Sequence, residues 1–214
     1  MFGHFLQSLA QGIGQTCLIT ASAFLLGALL GIPLALMRRS RIALVRLLAT
    51  IVIELLRSIP PIVVLFVLFY GLGGGAIRLG TFQAAVLGLG VIAAAYLAEI
   101  YRAGINAVAL GQWEASRALG LPRLKIYLRV ILPQALVIVI PPASTFAIGL
   151  LKDSAIASII GAHDITFQAF QESQATLQGL TIFAIAGVLY ILLSVPVAVV
   201  ARWSDHTLSQ KAAI

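Results

Sequence analysis

The chain has 214 residues, of which 61% are hydrophobic and only 10% are charged. Soluble domains carry about 25% charged residues, so these values and the mean hydropathy of +1.07 exclude a water-soluble fold. The net charge of +7 comes from basic residues between long apolar runs, which favours membrane-flanking charge over a nucleic-acid partner. A single cysteine, Cys17, excludes an internal disulfide and a thiolate metal cluster.

Five stretches are long and apolar enough to cross a bilayer as α-helices, which requires about 20 residues each. They follow an N-terminal segment, 1–15, whose apolar residues recur at helical spacing and predict an amphipathic helix at the membrane interface. We therefore expect an all-α membrane protein with a transmembrane domain over 16–205 and a tail over 206–214. The predicted spans are 16–37, 47–72, 82–101, 131–151 and 180–201.

The distribution of basic residues predicts the orientation of the spans. Arginines cluster directly after the first span, and the positive-inside rule places such a short basic loop in the cytoplasm. Threading five spans from there puts the N-terminus outside and the C-terminus in the cytoplasm. The same threading makes the loop between spans three and four cytoplasmic. The arginines after the first span are Arg38, Arg39, Arg41 and Arg46.

Prolines and glycines mark special positions in the spans. The second span contains Pro60 and Pro61, and the fourth is predicted to be interrupted at Pro141 and Pro142. Broken helices in a membrane line wet cavities or pack against protein, so these breaks indicate either a substrate path or a packing kink. In the first span, Gly27 and Gly31 form a GxxxG pattern suited to close helix contact.

Charged pairs lie within the second and third spans. Glu54 and Arg57 are three residues apart, as are Glu99 and Arg102, so each pair shares one helix face. Ionisable residues in spans are rare and usually face protein or water. We interpret the two pairs as structural ion pairs, with Glu99 also a candidate for the substrate pathway.

A second polar group lies within and directly after the fourth span. The residues of this group, together with Tyr96 of the third span, are predicted to face a translocation path and to hold the polar ends of a solute. The reason is that the carboxylate of Asp153, deep in or across the bilayer, needs a wet or paired environment. The alternative is that Lys152 pairs with an acid and fixes helix packing. The pathway candidates besides Tyr96 are Ser144, Thr145, Asp153 and Ser154.

The segment 111–133, between spans three and four, is too polar to span a membrane. It predicts two short helices, the first ended by Gly120 in a left-handed conformation and the second begun near Pro122. A compact knob of this kind fits a groove on a partner protein.

This segment resembles the EAA loop of ABC importer permeases, in Glu114-Ala115-Ser116, Gly120 four residues later, and Val130 to Pro133. Ser116 stands where alanine is usual and Val130 where isoleucine is usual. The stretches 94–105, 56–60 and 151–155 are similar to the polar-amino-acid subgroup, which includes histidine, glutamine, arginine and glutamate permeases. The resemblance implies coupling to an ATPase through Glu114, Ala115, Ser116, Gly120, Leu121, Pro122 and Pro133.

The resemblance further implies a type I importer in a bacterial inner membrane. Its partners would be a second permease, identical or a sister chain, a cytoplasmic ATPase dimer, and an external binding protein that delivers a polar amino acid. ATP and Mg²⁺ would bind the ATPase, and no cofactor is expected in this chain. The sequence contains no G-x-x-x-x-G-K-[ST] phosphate loop, so we expect a transport subunit without its own ATPase site.

Two functional questions stay open at this point. A secondary transporter or small channel working without an ATPase is the alternative function, although such transporters usually consist of two repeated halves, which five spans cannot form. The polar segment 166–178 is either a docking surface for the binding protein or a solvated connecting helix.

Overall fold

The computed structural model describes residues 2–72 and 78–212. These residues form helices joined by short turns and contain no strand. Residue 1 of the predicted N-terminal segment and residues 213 and 214 of the predicted C-terminal tail lie outside the described residues. The α-helices of the described part are α1 (Phe2–Ala10), α2 (Ile13–Arg38), α3 (Ala43–Ser58), α4 (Pro61–Phe66), α5 (Thr81–Ala107), α6 (Leu110–Ala118), α7 (Arg123–Ile126), α8 (Leu132–Asp153), α9 (Ile165–Thr176) and α10 (Gly179–Ala212).

Four stretches are long and apolar enough to cross a membrane, and a bent helix pair brings the total to five if it counts as one span. Three predicted spans fall inside the long stretches, and the fourth, 180–201, overlaps Gly179–Val199 and lies within α10, so all four are helical. The predicted tail, 206–214, continues the α10 helix as far as Ala212. The long stretches are Phe5–Arg38, Thr81–Ala107, Arg123–Ile160 and Gly179–Val199.

Helix α5 is the centre of the bundle. The most apolar window of α5 is 61% buried, against 22% for each of the other three long stretches. Its close partner is α2, because small residues let the two backbones approach. A Cβ atom added to Gly27 would lie 2.4 Å from the Cβ of Ala93, and one added to Gly31 would lie 3.1 Å from the carbonyl oxygen of Ala94. The GxxxG prediction of a close helix contact is therefore confirmed.

The predicted second span is two helices rather than one. Ala43–Ser58 and Pro61–Gly71 meet at an angle of 99°. Pro60 holds the residue before it in an extended conformation, and neither Pro60 nor Pro61 can donate a backbone hydrogen bond. Accordingly Ile59 has φ −83° and ψ 129°, and the chain turns sharply. After Phe66 the helix continues as a π-helical turn over Val67–Leu72.

The predicted interruption of the fourth span at Pro141 and Pro142 is wrong, because α8 runs through both prolines. The φ angle that the proline ring imposes is compatible with a helix. The costs are two lost backbone donors and the crowding of each ring against the carbonyl four residues before it. With the π-helical turn Tyr127–Ile131 before α8 and the 3₁₀ turn Ser154–Ile160 after it, the stretch Arg123–Ile160 is one long helical rod.

The N-terminal helix α1 packs on protein with part of its apolar face. Phe5 and Leu9 are buried against a cluster that includes Ile165 of α9 and Ile182 of α10. Leu6, on the neighbouring face, is exposed. The amphipathic periodicity expected for residues 1–15 is therefore satisfied mainly by contact with the rest of the chain.

Candidate functional site

A cavity of about 230 Å³ lies where the bend between α3 and α4 meets α5 and α8. Ligand sites for drug-sized molecules have roughly 300–1,000 Å³, so this space suits a smaller solute. Three side chains with polar groups line it: Arg57 from the last turn of α3, Tyr96 from α5 and Asp153 from the end of α8. The apolar lining consists of Ile59, Pro61, Leu89, Ile92, Phe146 and Leu150.

The Tyr96 ring joins the two sides of this cavity. It stacks on Phe146 of α8, with ring centroids 5.2 Å apart and an interplanar angle of 21°. The guanidinium carbon of Arg57 lies over the same ring, 5.0 Å from its centroid. A cation in this position is attracted by the electron-rich ring face. The cavity therefore combines a positioned cation, an aromatic surface and, on α8, a carboxylate.

Arg57 also belongs to a group of ion pairs, which we call the α2–α3–α5 network and which consists of Arg38, Glu54, Arg57, Glu99 and Arg102. Arg102 donates from Nε to Oε1 of Glu99 over 2.9 Å, and Arg57 lies 4.0 Å from Glu54. Both predicted i,i+3 pairs therefore form. Arg38 links them across helices, with its Nε 3.2 Å from Glu99 and its Nη2 3.7 Å from Glu54.

Sequence reasoning missed both the role of Arg38 and the position of Arg57 in the cavity. The local sequence places Arg38 only in a basic loop, and its partner Glu99 is far along the chain. For Arg57 a signal was present, because a charge in the last turn before a proline break lies where a broken span can line a cavity.

The other predicted pathway residues lie outside the cavity. Glu99 belongs to the α2–α3–α5 network. Ser144 borders a separate apolar recess beside Phe24 and Pro196. Thr145 is exposed and donates to the Pro141 carbonyl over 3.2 Å, while buried Ser154 donates to the Leu151 carbonyl over 2.8 Å. The structure therefore brings together Tyr96 and Asp153 from the predicted pathway set, and adds Arg57.

Lys152, adjacent to Asp153, is exposed at the end of α8. Among the described residues it forms no ion pair within 4.0 Å. Lys152 does not belong to the cavity lining, whereas Asp153 does.

The segment between α5 and α8 forms the two short helices expected from the sequence. Gly120 has φ +68°, which confirms the predicted left-handed conformation. Its amide donates to the Arg117 carbonyl over 2.9 Å, and the Leu121 amide donates to the Ser116 carbonyl over 3.2 Å. These two bonds are the Schellman pattern that ends a helix. Pro122 directly precedes α7.

The two short helices are anchored on one side and exposed on the other. Leu121 and Trp113 pack against a cluster containing Val108, Ile126 and Ile131. Buried Ser116 donates to the Gln112 carbonyl over 2.6 Å. The remaining residues predicted to couple to an ATPase are exposed: Glu114, Ala115, Gly120, Pro122 and, at the start of α8, Pro133.

At the other end of the long helices lies a second polar group, which we call the Asp164 cluster and which consists of Thr16, Asp164, Thr166 and Tyr190. Asp164 is fully buried and caps α9 by accepting a 2.8 Å hydrogen bond from the Phe167 amide. The Ile165 amide donates to Thr16 over 3.2 Å, and the hydroxyls of Thr166 and Tyr190 are 3.0 Å apart. Burial raises the pKa of Asp164 to about 6.

Comparison with known proteins identifies the family. Residues 25–210 match the family described as "Binding-protein-dependent transport system inner membrane component". The chain is 32% identical over 200 residues to the probable glutamine ABC transporter permease protein GlnM of Bacillus subtilis (strain 168), covering 94% of this chain and 93% of that protein. It is 33% identical over 198 residues to the arginine ABC transporter permease protein ArtQ of Haemophilus influenzae, covering 89% of each.

A solved structure of similar fold extends the comparison. A chain of an amino acid ABC transporter crystallised with histidines superposes with a TM-score of 0.90 at 32% identity, covering 96% of each chain. The permease fold implied by the sequence resemblance is thus shared over almost the whole length. The chain belongs to the family of binding-protein-dependent transport system inner membrane components, as a permease subunit of the ABC importer class.

Proposed function

We propose that this chain forms the path by which a polar amino acid, delivered by an external binding protein, crosses a bacterial inner membrane. The observation that carries the proposal is the cavity at the α3–α4 bend, where Arg57, Tyr96 and Asp153 converge. A free amino acid carries one positive and one negative group, and this cavity offers one partner for each. The relatives named for glutamine and arginine transport support the same class of solute.

In this proposal the Arg57 guanidinium binds the solute carboxylate and the Asp153 carboxylate binds its ammonium group. Both are charge-assisted contacts, which are roughly twice as strong as neutral hydrogen bonds. The Tyr96 ring, held by Phe146, supports the Arg57 head at 5.0 Å from the ring centroid. The apolar lining then contacts the carbon skeleton of the solute.

The energy for transport would come from partner subunits. We place the N-terminus outside and the α6–α7 segment in the cytoplasm, on the basis of the arginine cluster that follows α2. The exposed face of Glu114, Ala115, Gly120 and Pro122 would dock on an ATPase dimer that binds ATP and Mg²⁺. A second permease, identical or a sister chain, would complete the membrane unit, and a segment around α9 would face the binding protein.

The solute site is tested by uptake into liposomes containing the assembled permease, ATPase and binding protein. Replacing Asp153→Asn removes one charge from the cavity, and we expect uptake of radiolabelled glutamine, arginine or histidine to fall about 10- to 100-fold, as for a lost charge-assisted hydrogen bond. Thr145→Val, on an exposed position of the same helix, is the control and leaves uptake within about twofold. Unchanged uptake and solute preference in Asp153→Asn would remove this residue from the site.

The coupling surface is tested at Gly120. A side chain there meets no neighbouring atom within 4 Å but forces a φ of +68° on an L-residue, a strain of about 1–2 kcal/mol. We expect Gly120→Val to weaken co-purification with the ATPase and to reduce ATP-dependent uptake. Gly111→Val is the matched control, since Gly111 is exposed in α6 and also meets nothing within 4 Å. Normal ATPase association in Gly120→Val would overturn the coupling assignment, and uptake without any ATPase would favour a secondary transporter.

A further inference from the structure

A second cavity, of about 580 Å³, lies beside the turn that joins α6 and α7. Three arginines line it, Arg41 from the α2–α3 turn, Arg117 from α6 and Arg123 from α7, and none of the described residues in the lining is acidic. All three are exposed, and among the described residues none of them forms an ion pair. Three positive charges that line one cavity without a negative partner repel one another, and a bound anion would reduce this electrostatic repulsion.

The wall of this cavity has the character of a membrane boundary. Trp113 and Tyr127 line it and pack edge to face, with ring centroids 5.1 Å apart. Tryptophan and tyrosine are enriched at the level of lipid headgroups. Ile42 and Leu124, each adjacent in sequence to a lining arginine, are 63% and 70% exposed. An apolar surface therefore adjoins the cationic cavity.

We propose that this cavity binds the phosphate group of an anionic membrane phospholipid. The planar guanidinium group donates two parallel hydrogen bonds to phosphate oxygens, which a set of three arginines can do from several sides. The aromatic pair would contact the glycerol region, and the exposed aliphatic side chains beside the arginines would contact the acyl chains. Free inorganic phosphate offers the same headgroup chemistry but leaves those aliphatic side chains uncovered.

The position of the cavity gives such a lipid a way to affect transport. Gly120 and Leu121 also line the cavity, so a bound headgroup would contact the turn that we propose as the ATPase docking surface. The proposal goes beyond the solute pathway, and it concerns residues outside the cavity of Arg57 and Asp153.

The test is native mass spectrometry of the purified permease–ATPase complex, titrated with phosphatidylglycerol, with phosphatidylcholine and with inorganic phosphate. We expect the wild-type complex to bind phosphatidylglycerol at least about 10-fold more tightly than phosphatidylcholine. Arg117→Gln/Arg123→Gln should abolish that preference. Arg46→Gln/Arg129→Gln removes the same charge from exposed positions outside the cavity and should leave the preference within about twofold.

Three outcomes would overturn the proposal. Equal binding of the two lipids by the wild-type complex does so without any variant and is therefore independent of folding. Binding of inorganic phosphate as tight as that of phosphatidylglycerol would mean a free-anion site. Loss of ATPase association with unchanged lipid preference in Arg117→Gln/Arg123→Gln would mean that the arginines bind the ATPase instead.

Discussion

Two polar groups of this protein, the Asp164 cluster and the α2–α3–α5 network, hold helices together in different ways. The Asp164 cluster has one buried acid, and its partners are hydroxyls and backbone amides at short range. The network consists of two acids and three arginines, with side chains between 18% and 54% exposed. Among the described residues, Arg38 Nη1 has no hydrogen-bond partner, and Glu99 Oε2 has only the ion-pair contact of 3.2 Å with Arg38 Nε.

This difference indicates which polar group is fixed and which can rearrange. A buried, close-packed hydrogen-bonded cluster is specific in geometry, because any displaced donor or acceptor is left unpaired in a dry environment. Ion pairs of 3.2 to 4.0 Å between partly exposed side chains tolerate displacement and exchange of partners. We expect the helix ends at the Asp164 cluster to move as one unit and those at the network to move relative to one another.

The largest effect is expected from a substitution at Gly12, whose backbone lies against the start of α9 next to the Asp164 cluster. A Cβ added to Gly12 would lie 2.4 Å from the Asp164 carbonyl carbon and the Ile165 nitrogen. Gly12→Ala must push the α9 loop away, and we expect the free energy of unfolding in detergent to fall by about 3 kcal/mol. Gly14→Ala, with nothing within 4 Å, should leave stability unchanged or raise it by up to about 1 kcal/mol. Equal thermal midpoints for the two variants would mean that this region is not closely packed.

The charge of Asp164 provides the second test. Burial raises its pKa from 3.8 to about 6, so the unfolded chain releases the proton before the folded one does. The stabilisation is complete below pH 4 and is lost as pH rises to about 6, an effect of up to about 3 kcal/mol. Thermal unfolding from pH 4 to 7.5 should show this slope in the wild type and a weaker slope in Asp164→Asn. Parallel pH profiles for the two proteins would assign the slope to other groups.

The smallest effects are expected in the network. Arg38→Gln removes the cation that connects α2 with both α3 and α5, and with its side chain 18% exposed we expect a loss of about 1–2 kcal/mol. Glu54→Gln changes a side chain that is 54% exposed, and its effect should stay within about 0.5 kcal/mol. A loss in Glu54→Gln as large as that in Arg38→Gln would show that the network acts as one rigid unit.

Local patterns in the sequence predicted the features that depend on local chemistry. Twenty apolar residues predict a span, and a glycine after a short helix predicts the left-handed turn at Gly120. The charge spacing predicted the pairs Glu54–Arg57 and Glu99–Arg102. The predicted interruption at Pro141 and Pro142 is wrong because a proline weakens a helix without always ending it, and α8 as a whole packs against α10 and α5.

Contacts between distant parts of the chain could not be predicted in this way. Thr16 and Ile165 are 149 residues apart, and neither residue differs locally from many others in apolar helices. The joining of Arg38 to Glu99 depends on the α2–α5 approach, and the placement of Arg57 in the cavity depends on a 99° bend. In each case the tertiary arrangement determines which side chains meet.

The continuous helical stretch Arg123–Ile160 connects the cavity to the α6–α7 turn. Asp153 is 30 residues from Arg123 (153 − 123), which corresponds to an arm of about 45 Å at about 1.5 Å per residue. A tilt of the whole stretch by about 5° about its Arg123 end displaces the Asp153 carboxylate by about 4 Å for an arm of this length. If the stretch tilts as one body, a small rotation imposed where it begins moves the Asp153 carboxylate by about the length of an ion pair.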